Sequence, residues 1–244
     1  LIRRSSGVVV HFNPIIMKFP LYTIIFLLSL LVIGCFPTRV DSPEPIIDPK
    51  SLVLVSSDSI GVGQYLGLGV GVQAPAVYQA IQQLTSTEGI TSINIVGNST
   101  HDLETIASRL PLYQYILLDE NKGTDSGLQI TLEMAQVKSL YLNSGQALSR
   151  WPASGSVSIS LGDKADELHE KLRQIKKNNA FASKFERILL LTKDLSKAYD
   201  PAMAQAAQWY FRYSPQPGQY EEVQLFFVNG YLKYLNVRRY KDFS

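Results

Sequence analysis

Apolar residues recur along this chain in two rhythms, one of period two and one of helical spacing, and their alternation is its main structural signal. Ser51 to Val55 (SLVLV) is a short β-like run. From Gly61 to Val72, Leu66, Leu68, Val70 and Val72 alternate with Gly67, Gly69 and Gly71. That pattern predicts a strand with one bare face. Pro75 then opens PAVYQAIQQL, where Val77, Ala80, Ile81 and Leu84 fall at helical spacing. Next come apolar triplets: Ile90-x-x-Ile93-x-Ile95, Leu112-x-x-Tyr115-x-Leu117, Val137-x-x-Leu140-x-Leu142 and Phe185-x-x-Ile188-x-Leu190, with a weaker copy at Ser156-x-x-Ile159-x-Leu161. HDLETIASRL, GLQITLEMAQ and ADELHEKLRQIKK lie between them and read as helices, through Leu103, Ile106 and Leu110, through Leu128, Leu132 and Ala135, and through Leu168, Leu172 and Ile175. Pro201 to Tyr213 begins as a helix, SPQPG breaks it, and Asn229-Gly230 between two β-rich runs predicts a two-residue hairpin turn.

The triplets, followed at a fixed offset by Asn98 in the first copy, fit L-x-x-L-x-L-x-x-N. Residues 90–195 thus resemble a degenerate leucine-rich repeat, in which strand-helix units stack on a shared core. The later copies lose the asparagine, at Glu120, Gly145, Lys164 and Lys193. The resemblance implies an α/β domain over 51–244: stacked strand-helix repeats with a parallel sheet, closed by a C-terminal β-hairpin cap at 200–244. The alternative is an open two-sided parallel α/β sheet, because Ile116, Leu118, Leu189 and Leu191 read as strands covered on both faces. A horseshoe's open face carries polar or aromatic residues, and Asn94, Tyr141, Asn143, Ser158 and Ser160 are its candidate binding surface.

Met17 to Cys35, MKFPLYTIIFLLSLLVIGC, has a cationic start at Lys18, a short apolar stretch and a small residue before the cysteine. Leu21–Ile33 is too short to cross a bilayer core of about 30 Å as a stable helix. The run resembles a bacterial lipoprotein signal with its lipobox. That resemblance implies a signal peptide at 17–34, lipidation of Cys35 with palmitate or a similar chain, and anchoring in the bacterial cell envelope. Phe36 rather than aspartate after the cysteine favours the outer membrane. Residues 1–16 read as an over-extended start. Residues 35–50, with Pro37, Pro43, Pro45 and Pro49, read as an extended tether.

Removing the signal changes the charge. Without Arg3, Arg4 and Lys18, 20 basic residues face 21 acidic ones, so the net charge is −1 rather than +2. No basic excess remains for nucleic-acid binding. Cys35 is the only cysteine, which excludes an intramolecular disulfide and thiolate zinc sites. His101 and His169 stand far apart, and no metal or cofactor is expected. His101 sits among the N-cap residues Ser99, Thr100 and Asp102, and Asp119-Glu120 reads as a turn. Aromatics concentrate late, from Trp209 to Tyr240. Most are expected in the core of the cap, with an exposed subset able to bind a partner or a sugar by stacking. These features lead to a membrane-anchored protein-binding module working through a repeat scaffold, more a binder than an enzyme. Two alternatives stand: a hydrolytic or sugar-directed enzyme on a parallel sheet, with its site near Asn98, Asp119 and Asn143, and a small-ligand carrier at the glycine-rich strand.

Overall fold

A computed structural model describes residues 52–242; Cys35, the signal-like segment and the tether lie outside the described residues. In chain order the elements are β1 (Leu52–Ile60), β2 (Gln64–Tyr65), β3 (Leu68–Gly69), α1 (Ala74–Glu88), β4 (Ser92–Val96), β5 (Ser99–Thr100), β6 (Tyr113–Asp119), β7 (Leu128–Glu133), β8 (Gln136–Leu142), β9 (Ala147–Leu148), β10 (Arg150–Trp151), β11 (Ile159–Ser160), α2 (Leu168–Lys176), β12 (Arg187–Asp194), β13 (Gln208–Gln216), β14 (Gln219–Val228) and β15 (Tyr231–Asp242). Eleven strands form one sheet in the order β1-β15-β14-β13-β4-β12-β6-β7-β8-β9, with β5 against β12. Every pairing in it is antiparallel.

This corrects the expected fold. Neither stacked strand-helix repeats with a parallel sheet nor a two-sided parallel sheet forms. Each apolar triplet does fall on or beside a strand: Ile93 and Ile95 on β4, Tyr115 and Leu117 on β6, Leu140 and Leu142 on β8, Ile188 and Leu190 on β12. What fails is the connection between them. GLQITLEMAQ, read as a helix through Leu128 and Leu132, is strand β7. Leu128, Ile130 and Leu132 are buried while Gln129 and Thr131 are only partly so, which is period two. Spacing i, i+4 is a subset of i, i+2, i+4, and Ile130 decides between them. Only Met134-Ala135 separates β7 from β8, enough for an antiparallel hairpin but not for a parallel crossover, which needs a dozen residues or more. HDLETIASRL likewise yields only 3-10 turns at Glu104–Ile106 and Leu110–Leu112. Pro201–Gln205 is another, after which the chain enters β13.

Two expected helices form. Pro75 lies in the first turn of α1, and Gly89 ends it at φ 70° in the left-handed region. The buried stripes of α1 (Val77, Tyr78, Ile81, Leu84) and α2 (Leu168, Leu172, Ile175) belong to one core cluster with Ile93, Ile95, Trp209, Phe211, Leu225 and Leu235 from the sheet. Both helices therefore pack on the same side of the sheet.

The Asn229-Gly230 hairpin also forms, with φ 51° and 77° at its turn, as a two-residue type I′ turn requires. It does not cap a stack: β14 and β15 lie within the sheet, between β13 and β1. The glycine-rich run is not a strand with a bare face. It folds into the β2–β3 hairpin about Leu66-Gly67, and then Gly71 N–H donates to the Leu232 carbonyl at 2.7 Å while Leu232 N–H donates to Val72 at 2.9 Å. The small-ligand carrier reading rested on that bare strand and goes with it.

Candidate functional site

Three polar arrangements stand out. The first is buried, at the junction of β12, β6 and the loops beside them. The Asp200 carboxylate is essentially without solvent contact. It accepts from Arg109 Nε at 2.9 Å, Tyr113 Oη at 2.5 Å and the Ala202 backbone N–H at 3.0 Å. Asn98 joins the same group: its Nδ2 donates to Tyr113 Oη at 2.8 Å and to the Leu190 carbonyl at 2.9 Å, and its Oδ1 accepts from Arg109. Burial first, and then the Asp200 bond, push the Tyr113 phenol well above its ordinary range. Next to it Lys193 is fully buried, its Nζ 5.2 Å from the Tyr78 ring centre, donating to Tyr78 Oη at 3.0 Å and the Asp194 carbonyl at 2.8 Å. Burial lowers its pKa to about 8. Each of these groups is paired with protein, so the cluster ties loops 98–112 and 199–206 to the sheet and leaves no group aimed at a ligand. A cleft of about 450 Å³ lies nearby, between Tyr113, Thr91, Lys197 and the β7–β8 turn; Lys193 does not line it.

The second is the Asp119 cluster at the end of β6. The buried carboxylate accepts from Glu120 N–H, Thr124 Oγ1, Asn143 Nδ2 and Arg187 NH2 at 2.8–3.1 Å. Lys184 Nζ bridges Glu120, Thr124 and Ser126. Asp119 thus shapes the β6–β7 turn, the role its sequence position suggested.

The third is the side of the sheet turned away from both helices. Alternation places Asn94 and Val96 of β4, Gln208 and Tyr210 of β13, Gln224, Phe226 and Val228 of β14, and Tyr231, Tyr234 and Asn236 of β15 on this side. Register sets them in cross-strand rows: Val96, Gln208, Phe226, Tyr234 and, next to it, Asn94, Tyr210, Gln224, Asn236. Phe226 and Tyr234 stack, 4.4 Å apart and 10° from parallel. Val228 is 56% exposed, Tyr231 47% and Val96 38%. No Asp, Glu, Lys or Arg stands in either row. Charges begin one row further on, where Arg212 donates to Glu222 at 2.9 Å and Arg238 lies 3.8 Å from the same carboxylate.

Of the five residues expected on an open face, Asn94 is in the second of these rows, accepting from Thr192 Oγ1 at 2.8 Å. Tyr141 is exposed on β8, four strands away. Asn143 belongs to the Asp119 cluster. Ser158 donates to the Pro152 carbonyl, and Ser160 is on β11, in a separate two-stranded sheet. The structure does not bring the five together. The aromatic pair was legible only as part of a late aromatic concentration; its position on the face follows from the bulge between Phe226 and Phe227, which sets Phe226 opposite Tyr234. His169, read as solvated, has Nε2 3.1 Å from the Leu103 carbonyl. Among the described residues no cluster of metal-binding side chains occurs, and no helix is long and apolar enough to cross a membrane. Comparison with family models, characterised proteins and solved structures returns no match.

Proposed function

We propose that this chain is a lipid-anchored cell-envelope protein, tethered through Cys35, whose antiparallel domain works by binding rather than catalysis and uses the aromatic and amide face of β4, β13, β14 and β15. The observation that carries the reading is the position of that face in the sheet. β1 starts at Leu52, opposite Asp242, and ends at Ile60, opposite Leu235. The β14–β15 turn and the Phe226–Tyr234 pair therefore lie at the far end of the strands from where the tether enters, about 27 Å along β1 at roughly 3.4 Å per residue. That uncovered apolar and aromatic surface thus stands clear of the point where the chain enters the sheet at Leu52. Exposed contiguous apolar surface of this kind marks interaction sites.

Two measurements test the two halves of the proposal. Metabolic labelling with radioactive palmitate marks the wild type, and Cys35→Ser abolishes the label and frees the protein from membranes; label retained by the variant removes the anchor. A photo-crosslinking amino acid at Tyr234 gives a high-mass adduct in intact cells and one at Lys138 does not. Absence of any adduct at Tyr234 removes the binding face.

A further inference from the structure

Resting on the reading of Cys35 as the anchor, we infer that the first residues of β1 form a membrane seat: Val53, Leu54 and Val55, with Tyr240 and Tyr220 beside them, rest on the phospholipid surface at headgroup depth. Three observations carry the inference.

The first is place. β1 begins at Leu52, and sixteen residues separate it from Cys35. Fully extended they span about 55 Å, so an anchored domain stays within that reach of the lipid. Along the chain, the start of β1 is the part of the sheet nearest the anchor. Confinement of this kind raises the effective concentration of the surface, and a contact too weak to form in free solution becomes occupied.

The second is the chemistry of that end. Val53, Leu54 and Val55 are 43, 52 and 55% exposed. Successive strand residues point to opposite faces, so three in a row leave apolar surface on both sides of the strand. Leu54 stands opposite Tyr240, and Tyr240 opposite Tyr220, which makes a leucine-tyrosine-tyrosine row across β1, β15 and β14. A tyrosine with an apolar ring and a polar hydroxyl suits the boundary between headgroups and acyl chains. Depth is bounded by the backbone. Among the described residues nothing pairs with the outer side of β1, and hydrocarbon would strand its N–H and C=O groups. At headgroup level water and lipid oxygens satisfy them. A second copy of this chain fits the place less well. It would need a register along the strand, and the shift between Leu54 and Ser56 leaves only Leu52–Leu54 before it. A bilayer needs no register.

The third is charge. The ions at this end pair among themselves. Arg239 bonds Asp58 and, at 3.0 Å, Glu221; Arg212 and Arg238 lie 2.9 and 3.8 Å from Glu222. Lys241 and Asp242, opposite Val53 and Leu52, add one charge of each sign. Lipid phosphates therefore neither draw nor repel this end as a whole, and apolar contact decides.

The experiment uses the full lipid-modified chain reconstituted in vesicles of phosphatidylcholine, with and without bromine on the acyl chains. Bromine quenches tryptophan at the membrane, and iodide quenches it in water. Trp151 and Trp209 are buried, so the wild type gives the baseline. The Leu54→Trp reporter is quenched several-fold more by bromolipid than a Val228→Trp reporter at the far end of the sheet, and iodide shows the opposite order. About 1 M NaCl or added phosphatidylglycerol changes neither result. Because tryptophan itself favours an interface, Tyr240→Trp is read as well, alone and combined with Val53→Ser and Leu54→Ser. The serine pair lowers its bromolipid quenching several-fold, and circular dichroism verifies that each variant is folded. A palmitate-labelled chain that floats with the vesicles while iodide reaches both reporters equally overturns the seat and leaves the anchor. A Leu54→Trp reporter that neither quencher reaches is covered by protein, which also overturns the seat. Quenching that disappears in salt, or that the serine pair leaves unchanged, overturns its apolar basis. A chain that carries no palmitate and does not float removes anchor and seat together.

Discussion

Lys193 carries the clearest physical consequence at the scale of single residues. Its amine is buried against two aromatic rings and its folded pKa is lowered to about 8 from the ordinary 10.5. Between those values the unfolded chain binds the proton and the native chain does not, so stability rises with pH. From about pH 7.5 to about 9.5 the gain is about 2 kcal/mol, and the native state carries a corresponding penalty at neutral pH. The expected outcome is a higher midpoint of urea unfolding at the upper pH. Lys193→Met removes most of that slope, since Tyr78 Oη still has the Asp194 and Lys197 carbonyls as acceptors. A slope unchanged in the variant refutes the assignment. Above about pH 10 tyrosine ionisation opposes the trend, because burial raises the phenols of Tyr78, Tyr113 and Tyr115, the last to about 12. Asp200 behaves differently. Asp200→Ala strands the Arg109 guanidinium and the Tyr113 hydroxyl inside the fold, and a broken buried pair costs about 3–5 kcal/mol. Thermal unfolding checks this, with Tyr113→Phe as the milder control at about 1 kcal/mol.

Turns decide most of what happens at the scale of elements. Asn229-Gly230 was legible because only residues tolerant of positive φ fit a two-residue hairpin, and that pair announces itself. Met134-Ala135 makes the same kind of turn, with φ 50° and 61°, yet neither residue signals it. That silence turned a β7–β8 hairpin into an expected helix and, with it, an antiparallel sheet into a parallel one. Apolar triplets mark where strands run, but the direction of each strand is set by its connection, and here the connection was disguised. The candidate face was hidden for a related reason: β4 pairs with β13 and β12, both more than 90 residues away in the chain, and no local pattern states that order. Left-handed backbone is strained for Met and Ala. Met134 is almost fully exposed, so replacing it buries nothing and uncovers nothing. The double substitution Met134→Asn with Ala135→Gly is expected to stabilise the protein by about 1–2 kcal/mol, relieving roughly that strain. A calorimetric melting temperature that falls argues against the strain. The opposite case is Gly127, where an added Cβ would stand 2.7 Å from Asp119 Cγ and collide with the Asn143 amide. Gly127→Ala therefore breaks up the Asp119 cluster and lowers the melting temperature.

Across the whole molecule the sheet is asymmetric at its edges. One edge is β9, only two residues long, a length that gives another chain little to pair with. The other is β1, nine residues long, and among the described residues nothing pairs with its outer side. Val53, Leu54 and Val55 are 43–55% exposed there. A long apolar edge is a template for adding further strands. Two features oppose this: the register shift between Leu54 and Ser56, and the charges of Asp58 and Arg239, which pair across β1 and β15. Both leave Leu52–Leu54 unguarded, because the shift comes after this triplet and the ion pair sits further along the strand. In an anchored protein these residues would adjoin the tether, so Cys35→Ser, which frees the chain to reach high concentration in solution, exposes the edge most. Light scattering of that soluble form is expected to show concentration-dependent association, and Leu54→Lys to suppress it, because a lysine on an edge strand opposes sheet-to-sheet pairing at the cost of little buried surface. The same variant leaves Tyr234 and Asn236 untouched, because Leu54 stands opposite Tyr240, further along β15 than either, so the Tyr234 crosslink persists. Association that continues unchanged in Leu54→Lys assigns it to a surface other than β1; a Cys35→Ser form that stays monomeric at every concentration shows that the bulge and the Asp58–Arg239 pair already close the edge.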